Sequence, residues 1–332
     1  MISYVIRAYK VLNEAWSAPR ADTNYKIYRN IYSHLKNSKK KKIGILKYLK
    51  KYPGLSEIKP INKWDYDKDL DEYYHKYTSS FFSEGKIRIK NFNTKRALIF
   101  LSGYYSKTND IFQNKAHPQY LVSYCKKADL SLISWDSVTQ GERGQNAIYK
   151  NLNSNVSTER EYSRFLSMIG SSLWNEYVSE MKYAIKMINL FYKNKAEIIT
   201  VGWSMGGAFA HLVPMFTNKC KLVISSGSLA RFHDLIQEGK TRLHGFFFYP
   251  LNAIYYFDLE DVIKKNNLSN SRTIFIFGEN DPGCLKSSYK LLKKTYKKNQ
   301  ENVRFIQFKN YGHLFEPKIK AEIFKSIKKI NK

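Results

Sequence analysis

Three residues with the types needed for acyl transfer stand far apart in the chain: Ser204, Asp281 and His313. A serine hydroxyl is a poor nucleophile until a base takes its proton, and that base works best when a carboxylate fixes its tautomer. Ser204 lies in Gly202-Trp203-Ser204-Met205-Gly206, which follows the β-branched run Ile198-Ile199-Thr200-Val201 and leads into Gly207-Ala208-Phe209-Ala210. That pattern predicts strand, tight turn and helix, with the serine held at a strained corner where its hydroxyl is accessible. Gly202 and Gly206 suit a turn too crowded for side chains, and Gly207 and Ala208 keep the first helical turn thin. The helix then directs its positive end at the serine.

The two partners follow in the order Ser, Asp, His. After Thr273-Ile274-Phe275-Ile276-Phe277 comes Gly278-Glu279-Asn280-Asp281-Pro282-Gly283, with Asp281 as the orienting acid and Glu279 as its local rival. An Asp-Pro-Gly turn in which Asp281 bonds its own backbone is the structural alternative. After Val303 to Phe308 comes Lys309-Asn310-Tyr311-Gly312-His313, which places His313 at the end of the last strand as the base. His34, His75, His117, His211, His233 and His244 have no comparable position. An oxyanion needs two donors. The N–H of Met205 supplies one, and the loop Ser102-Gly103-Tyr104-Tyr105 supplies the other through Tyr104.

These residues require elements that carry them to one edge of a sheet. From Lys86 onward, short apolar runs alternate with helical stretches: Ile87–Ile89, Ala97–Leu101, Leu130–Trp135, the run before Ser204, Leu222–Ser225, Thr273–Phe277 and Val303–Phe308, with helices over Trp174–Tyr192 and Ser287–Tyr296. Continuous apolar strands alternating with helices predict a mostly parallel sheet covered on both faces, an α/β class, with reactive groups at the carboxyl ends of the strands. Residues 86–332 form this expected domain. An insertion over about 228–271, containing Phe246-Phe247-Phe248-Tyr249-Pro250-Leu251, is expected to shape the pocket, as a wall for an acyl chain or a sugar ring or as plain core.

With these motifs in place, residues 86–332 resemble the α/β-hydrolase superfamily, in particular its dienelactone hydrolase and acetyl xylan esterase-like branch. Trp135-Asp136 with Gly141-Glu142-Arg143-Gly144 resembles a loop of these esterases, and Gly103-Tyr104 resembles their oxyanion turn, although Ser102 stands where they often carry histidine. Gly-Trp-Ser-Met-Gly-Gly is also similar to the elbow of small carboxylesterases that act on acyl carriers. The resemblance implies a serine esterase or thioesterase working through an acyl-serine, without cofactor or metal, on a small-molecule, glycan or acyl-carrier ester. An acyltransferase with the same triad and a non-catalytic binding protein of the same fold are the rivals.

The 332 residues are 43% hydrophobic and 15% aromatic, a composition that can bury a large core. The formal charge is +28, but it is spread along the chain without a compact nucleic-acid-binding signature, so no nucleic-acid partner is expected. Cys125, Cys220 and Cys284 are scattered and odd in number, which argues against a disulfide framework or thiolate metal site and for a reducing, cytoplasmic setting. The first residues lack a secretory pattern, and Gly245–Phe257 is too short to span a bilayer. Residues 1–85 read as a helical N-terminal extension. Within it, Lys39–Lys42, Lys47, Lys50 and Lys51 accompany Ile43, Ile45, Leu46 and Leu49, a pattern expected of a helix packed on its own domain, with peripheral contact to an anionic membrane as the alternative.

Overall fold

A computed structural model of the chain describes residues 44–80, 82, 84–103, 108–113, 121–138, 143, 155–237, 257–268, 270–296, 302–313 and 317–329. In chain order these contain α1 (Ile45–Lys51), β1 (Ile58–Pro60), β2 (Asp65–Asp67), β3 (Glu72–Ser79), β4 (Gly85–Lys90), β5 (Arg96–Leu101), α2 (Thr108–Phe112), α3 (Leu121–Lys127) and β6 (Ser131–Trp135). They continue with α4 (Asn155–Met168), α5 (Leu173–Phe191), β7 (Glu197–Trp203), α6 (Met205–Ala210), β8 (Cys220–Ser226), α7 (Phe232–Gln237), α8 (Leu259–Leu268), β9 (Arg272–Gly278), α9 (Lys286–Tyr296), β10 (Val303–Phe308) and α10 (Pro317–Lys328).

The strands form one sheet in the order β1-β3-β4-β6-β5-β7-β8-β9-β10, with β2 paired to β3. From β6 to β10 every pairing is parallel, while β4 runs antiparallel to both β3 and β6. Alternation along β5 explains the layering. Ala97, Ile99 and Leu101 join α5 residues such as Met181, Ile185 and Ile188 in one core cluster, whereas Leu98 and Phe100 join Leu121, Ile319 and Ile323 in the cluster on the opposite face. A strand buried on both sides cannot alternate apolar with polar, which is why these strands read as unbroken apolar runs.

The N-terminal region departs from the helical extension expected of it. Within the described part of residues 1–85, helix is confined to α1, and residues 58–79 add β1, β2 and β3 to the sheet, so the sheet begins well before residue 86. Three-residue strands carry too little periodicity to stand out, and β3 places Glu72 and His75 at buried positions that a sequence pattern scores as polar. Arg88 answers Glu72 with an Nη1–Oε1 distance of 2.7 Å. Ile45 and Tyr48 of α1 are buried against the domain, while Leu46 and Lys47 face outward. Lys39–Lys42 and Ile43 lie outside the described residues. Among the described residues, no helix is long and apolar enough to cross a membrane.

Register decides which loops can meet. Leu101 pairs with Gly202, Trp203 with Ser226, and Phe308 with Gly278. The carboxyl ends of β5, β7, β8, β9 and β10 are thereby brought together, and the loops that leave them converge.

Candidate active site

Ser204 occupies the turn between β7 and α6 with φ 55° and ψ −120°, a left-handed conformation that is costly for a residue with a side chain. Its surroundings hold it there. A β-carbon on Gly202 would lie 2.1 Å from the Gly206 carbonyl oxygen, and one on Gly206 would lie 2.0 Å from that of Leu101, so both positions exclude any other residue. The Ser204 N–H donates to the Ser226 carbonyl at 2.8 Å, tying the turn to the neighbouring strand.

Two loops bring the remaining groups to this serine. After β9, the Glu279 and Asn280 N–H groups donate to the carbonyls of Phe308 and Tyr311, which stitches that loop to the one leaving β10. His313 is thereby placed between Asp281 and Ser204. Its Nδ1 lies 2.7 Å from Asp281 Oδ1, and its Nε2 lies 2.7 Å from Ser204 Oγ. Asp281 Oδ1 also accepts from the Gly283 N–H at 2.8 Å, so the backbone-bonded turn and the histidine contact occur together. Glu279, the rival acid, is half-buried at the loop's start and contributes its backbone to the stitch. Asp281 is buried, and 17% of the His313 side chain is exposed, a gradient from dry acid to accessible base.

Gly227 and Gly283 complete the enclosure. Gly227 has φ 65°, and β-carbons on these two glycines would lie 3.2 Å and 3.1 Å from His313 Cε1. The Trp203 ring stacks on the imidazole with centroids 5.9 Å apart. Gly283 belongs to the Asp-Pro-Gly turn, whereas Gly227 lies on a loop without a recognisable sequence pattern.

Of the two oxyanion candidates, Met205 is the first residue of α6, where its N–H lies in the unbonded first turn. Tyr104 lies outside the described residues, as do Gly141, Glu142, Gly144 and the aromatic run Phe246–Leu251. Gly103 is described: a β-carbon there would lie 3.3 Å from Ser204 Cβ, so the loop after β5 does reach the serine. The far end of that loop is fixed at Thr108, whose N–H and hydroxyl both donate to Asp136 Oδ1 at 2.8 Å. Arg143 is buried in a two-pronged ion pair with Glu180, whose carboxylate also accepts from the Tyr77 hydroxyl at 3.1 Å. Burial alone would lower the guanidinium pKa, but Glu180 more than offsets it and holds Arg143 charged. These two motif residues therefore anchor elements around the site.

No cysteine competes with the serine. Burial pushes the Cys220 thiol up to about 12, and burial followed by the Asp281 carboxylate pushes Cys284 well above the ordinary thiol value. Among the described residues, no group of three or more His, Cys, Asp or Glu side chains is placed to hold a metal ion.

The topology and the position of the elbow define the class: the chain has an α/β-hydrolase fold. Solved structures with the same fold include a Bacteroides fragilis protein provisionally named as an acetyl xylan esterase, at 13% identity and a TM-score of 0.56, covering 85% of this chain and 81% of that one. An acetyl xylan esterase from Paenibacillus sp. R4 matches at 12% identity and a TM-score of 0.50, over 94% and 95% of the two chains. A Bacteroides ovatus protein provisionally named dipeptidyl aminopeptidase IV matches at 12% identity and 0.51, covering 82% of this chain but 35% of its own length. No protein-family model and no curated protein matches the sequence.

Proposed function

We propose that the chain is a serine hydrolase of carboxylic esters or thioesters that works through an acyl-Ser204 intermediate. The observation that carries this reading is the unbroken hydrogen-bonded line from Asp281 through His313 to Ser204, on a turn whose backbone is strained at the serine. In the resting state, His313 Nδ1–H donates to Asp281 and Nε2 accepts from the Ser204 hydroxyl. On attack, the Ser204 Oγ–carbonyl carbon bond forms while Nε2 takes the hydroxyl proton. His313 then passes that proton to the leaving alcohol or thiol as the bond to it breaks, and a water molecule repeats the sequence to release the acid. The Met205 N–H and the Tyr104 N–H are assigned to the oxyanion, a role worth on the order of a hundredfold to a thousandfold per donor.

The names of the fold neighbours, esterases among them, agree with ester chemistry. An acyltransferase would use the same groups and pass the acyl to an acceptor other than water, so identification of the product separates the two. The direct test is labelling with a fluorophosphonate followed by peptide mapping. Label is expected on Ser204, and Ser204→Ala should abolish both labelling and ester turnover, a loss of on the order of a millionfold in kcat. Undiminished labelling of Ser204→Ala would remove the assignment.

A further inference from the structure

One face of α6 is not used by the triad. Met205, Ala208, Phe209 and Leu212 succeed one another at helical spacing from the residue after Ser204, and together they line one side of a cavity. Met205, Ala208 and Phe209 belong to α6, and Leu212 follows two residues after its end at Ala210. The near end of this wall lies beside the triad. Ser228 also lines it, packs where a β-carbon on Gly207 would come within 3.0 Å, and follows Gly227, which lies against Asp281 and His313.

An aromatic group, Trp174, Phe232 and Phe257, makes up another part of the lining wall. The N-terminal segment buttresses it. The Tyr48 ring lies 4.9 Å from that of Phe257 and 5.9 Å from that of Trp174, and the Leu55 and Ser56 N–H groups donate to the Glu176 carboxylate at 2.7 and 2.9 Å. The wall is therefore backed by fixed structure.

The polar groups of the cavity are mostly committed elsewhere. Asp258 accepts from the N–H groups of Phe232, His233 and Leu259 and from the His233 ring. His211 offers two unpartnered nitrogens and Ser228 a hydroxyl, whereas a sugar ring requires several convergent polar groups. The space is about 80 Å³, room for two to three groups the size of a water or methylene at ~30 Å³ each. An acetyl group leaves it largely empty.

We propose that this cavity receives the acyl part of the substrate and makes the enzyme selective for a short unbranched apolar acyl group, butanoyl, over acetyl. The inference rests on the serine-hydrolase reading. Each methylene buried should raise kcat/KM about fourfold, so butanoyl, with two methylenes more, should exceed acetyl by roughly fifteenfold.

The test measures kcat/KM of the full chain on the p-nitrophenyl esters of acetate, butanoate, hexanoate and decanoate, alongside fluorophosphonate labelling. The expected result is a maximum at butanoate, with hexanoate and decanoate lower. In Ala208→Phe, which adds a ring at an exposed position of the lining, the butanoate-to-acetate ratio should fall about tenfold. A wild-type optimum at acetate overturns the inference without reference to any variant, as does an unchanged ratio in an Ala208→Phe protein that unfolds like wild type. Labelling at Ser204 with an acetate optimum defeats the acyl cavity alone; no labelling and no turnover of any ester defeats the hydrolase reading and the cavity with it.

Discussion

Among the described residues, two histidine–aspartate pairs have nearly the same geometry. His313 Nδ1 lies 2.7 Å from Asp281, and His233 Nδ1 lies 2.6 Å from Asp258, with 17% and 22% of the two imidazole side chains exposed. What differs is the rest of each constellation. Asp258 is saturated: three backbone N–H groups and the imidazole donate to it, and Arg231 stands 3.9 Å away while gripping Glu260 at 2.9 Å. Burial works against its ionisation, but the hydrogen bond and charge of His233, helped by the Leu259 N–H and Arg231, hold its carboxyl below the usual range. That pair ties α7 to α8, the two ends of the insertion. Asp281 instead accepts through one oxygen from Gly283 and His313, and the far nitrogen of His313 meets a serine hydroxyl on a strained turn. The two histidine–carboxylate contacts are thus alike, and the pairs differ in what meets the second ring nitrogen.

Exchanging each carboxylate for its amide should separate the two roles. Asp281→Asn should cost kcat on the order of ten-thousandfold, through the wrong His313 tautomer, with little change in the urea midpoint. Glu279→Gln in the same assay should stay near wild type; if Glu279→Gln is the crippled variant, the acid has been assigned two residues too late. Asp258→Asn should reverse the pattern. Removing a buried acceptor from several donors and a nearby guanidinium should lower stability by about 3 kcal/mol, read as a shift in urea unfolding, while kcat per folded molecule falls less than tenfold. Equal loss of kcat in both variants would mean that the insertion ends, and not the Asp281–His313 line alone, control the chemistry.

The difference between the pairs also bears on what sequence can reveal. Ser204, Asp281 and His313 stand at the ends of β7, β9 and β10, and each of those strands is an apolar run, so the fold and the candidate site are legible in one pattern. The strands on the other flank are not, because β1 and β2 are too short and β3 mixes Tyr, Lys and His with the buried Glu72 that Arg88 makes tolerable. The clamp at Asp258 is illegible for another reason. Its partners are mainly backbone N–H groups, which nearly every residue possesses, and its importance lies in where the chain returns. The cavity wall likewise joins Tyr48, Trp174 and Phe257, residues whose adjacency no local spacing encodes.

A third histidine extends the comparison to the case with no carboxylate at all. His211, just beyond α6, is buried, its ring lies 5.0 Å from that of Phe275, and neither ring nitrogen has a hydrogen-bond partner. Burial pushes its pKa down to about 3. Its unfolded value is about 6.5, so between these limits the unfolded chain takes a proton that the folded chain refuses. Stability must then rise with pH across that window and fall on acidification, by about 1.4 kcal/mol per pH unit once well below the unfolded value. Replacing the ring in His211→Leu removes this contribution. Between about pH 6.5 and about pH 4.5, wild type should lose about 2 kcal/mol more unfolding free energy than the variant, measured by urea titration at both pH values. His75, whose pKa burial also lowers, keeps some slope in the variant. Equal losses in the two proteins would mean that His211 accepts a proton within the fold, and that the cavity floor is wetter and more polar than its walls imply.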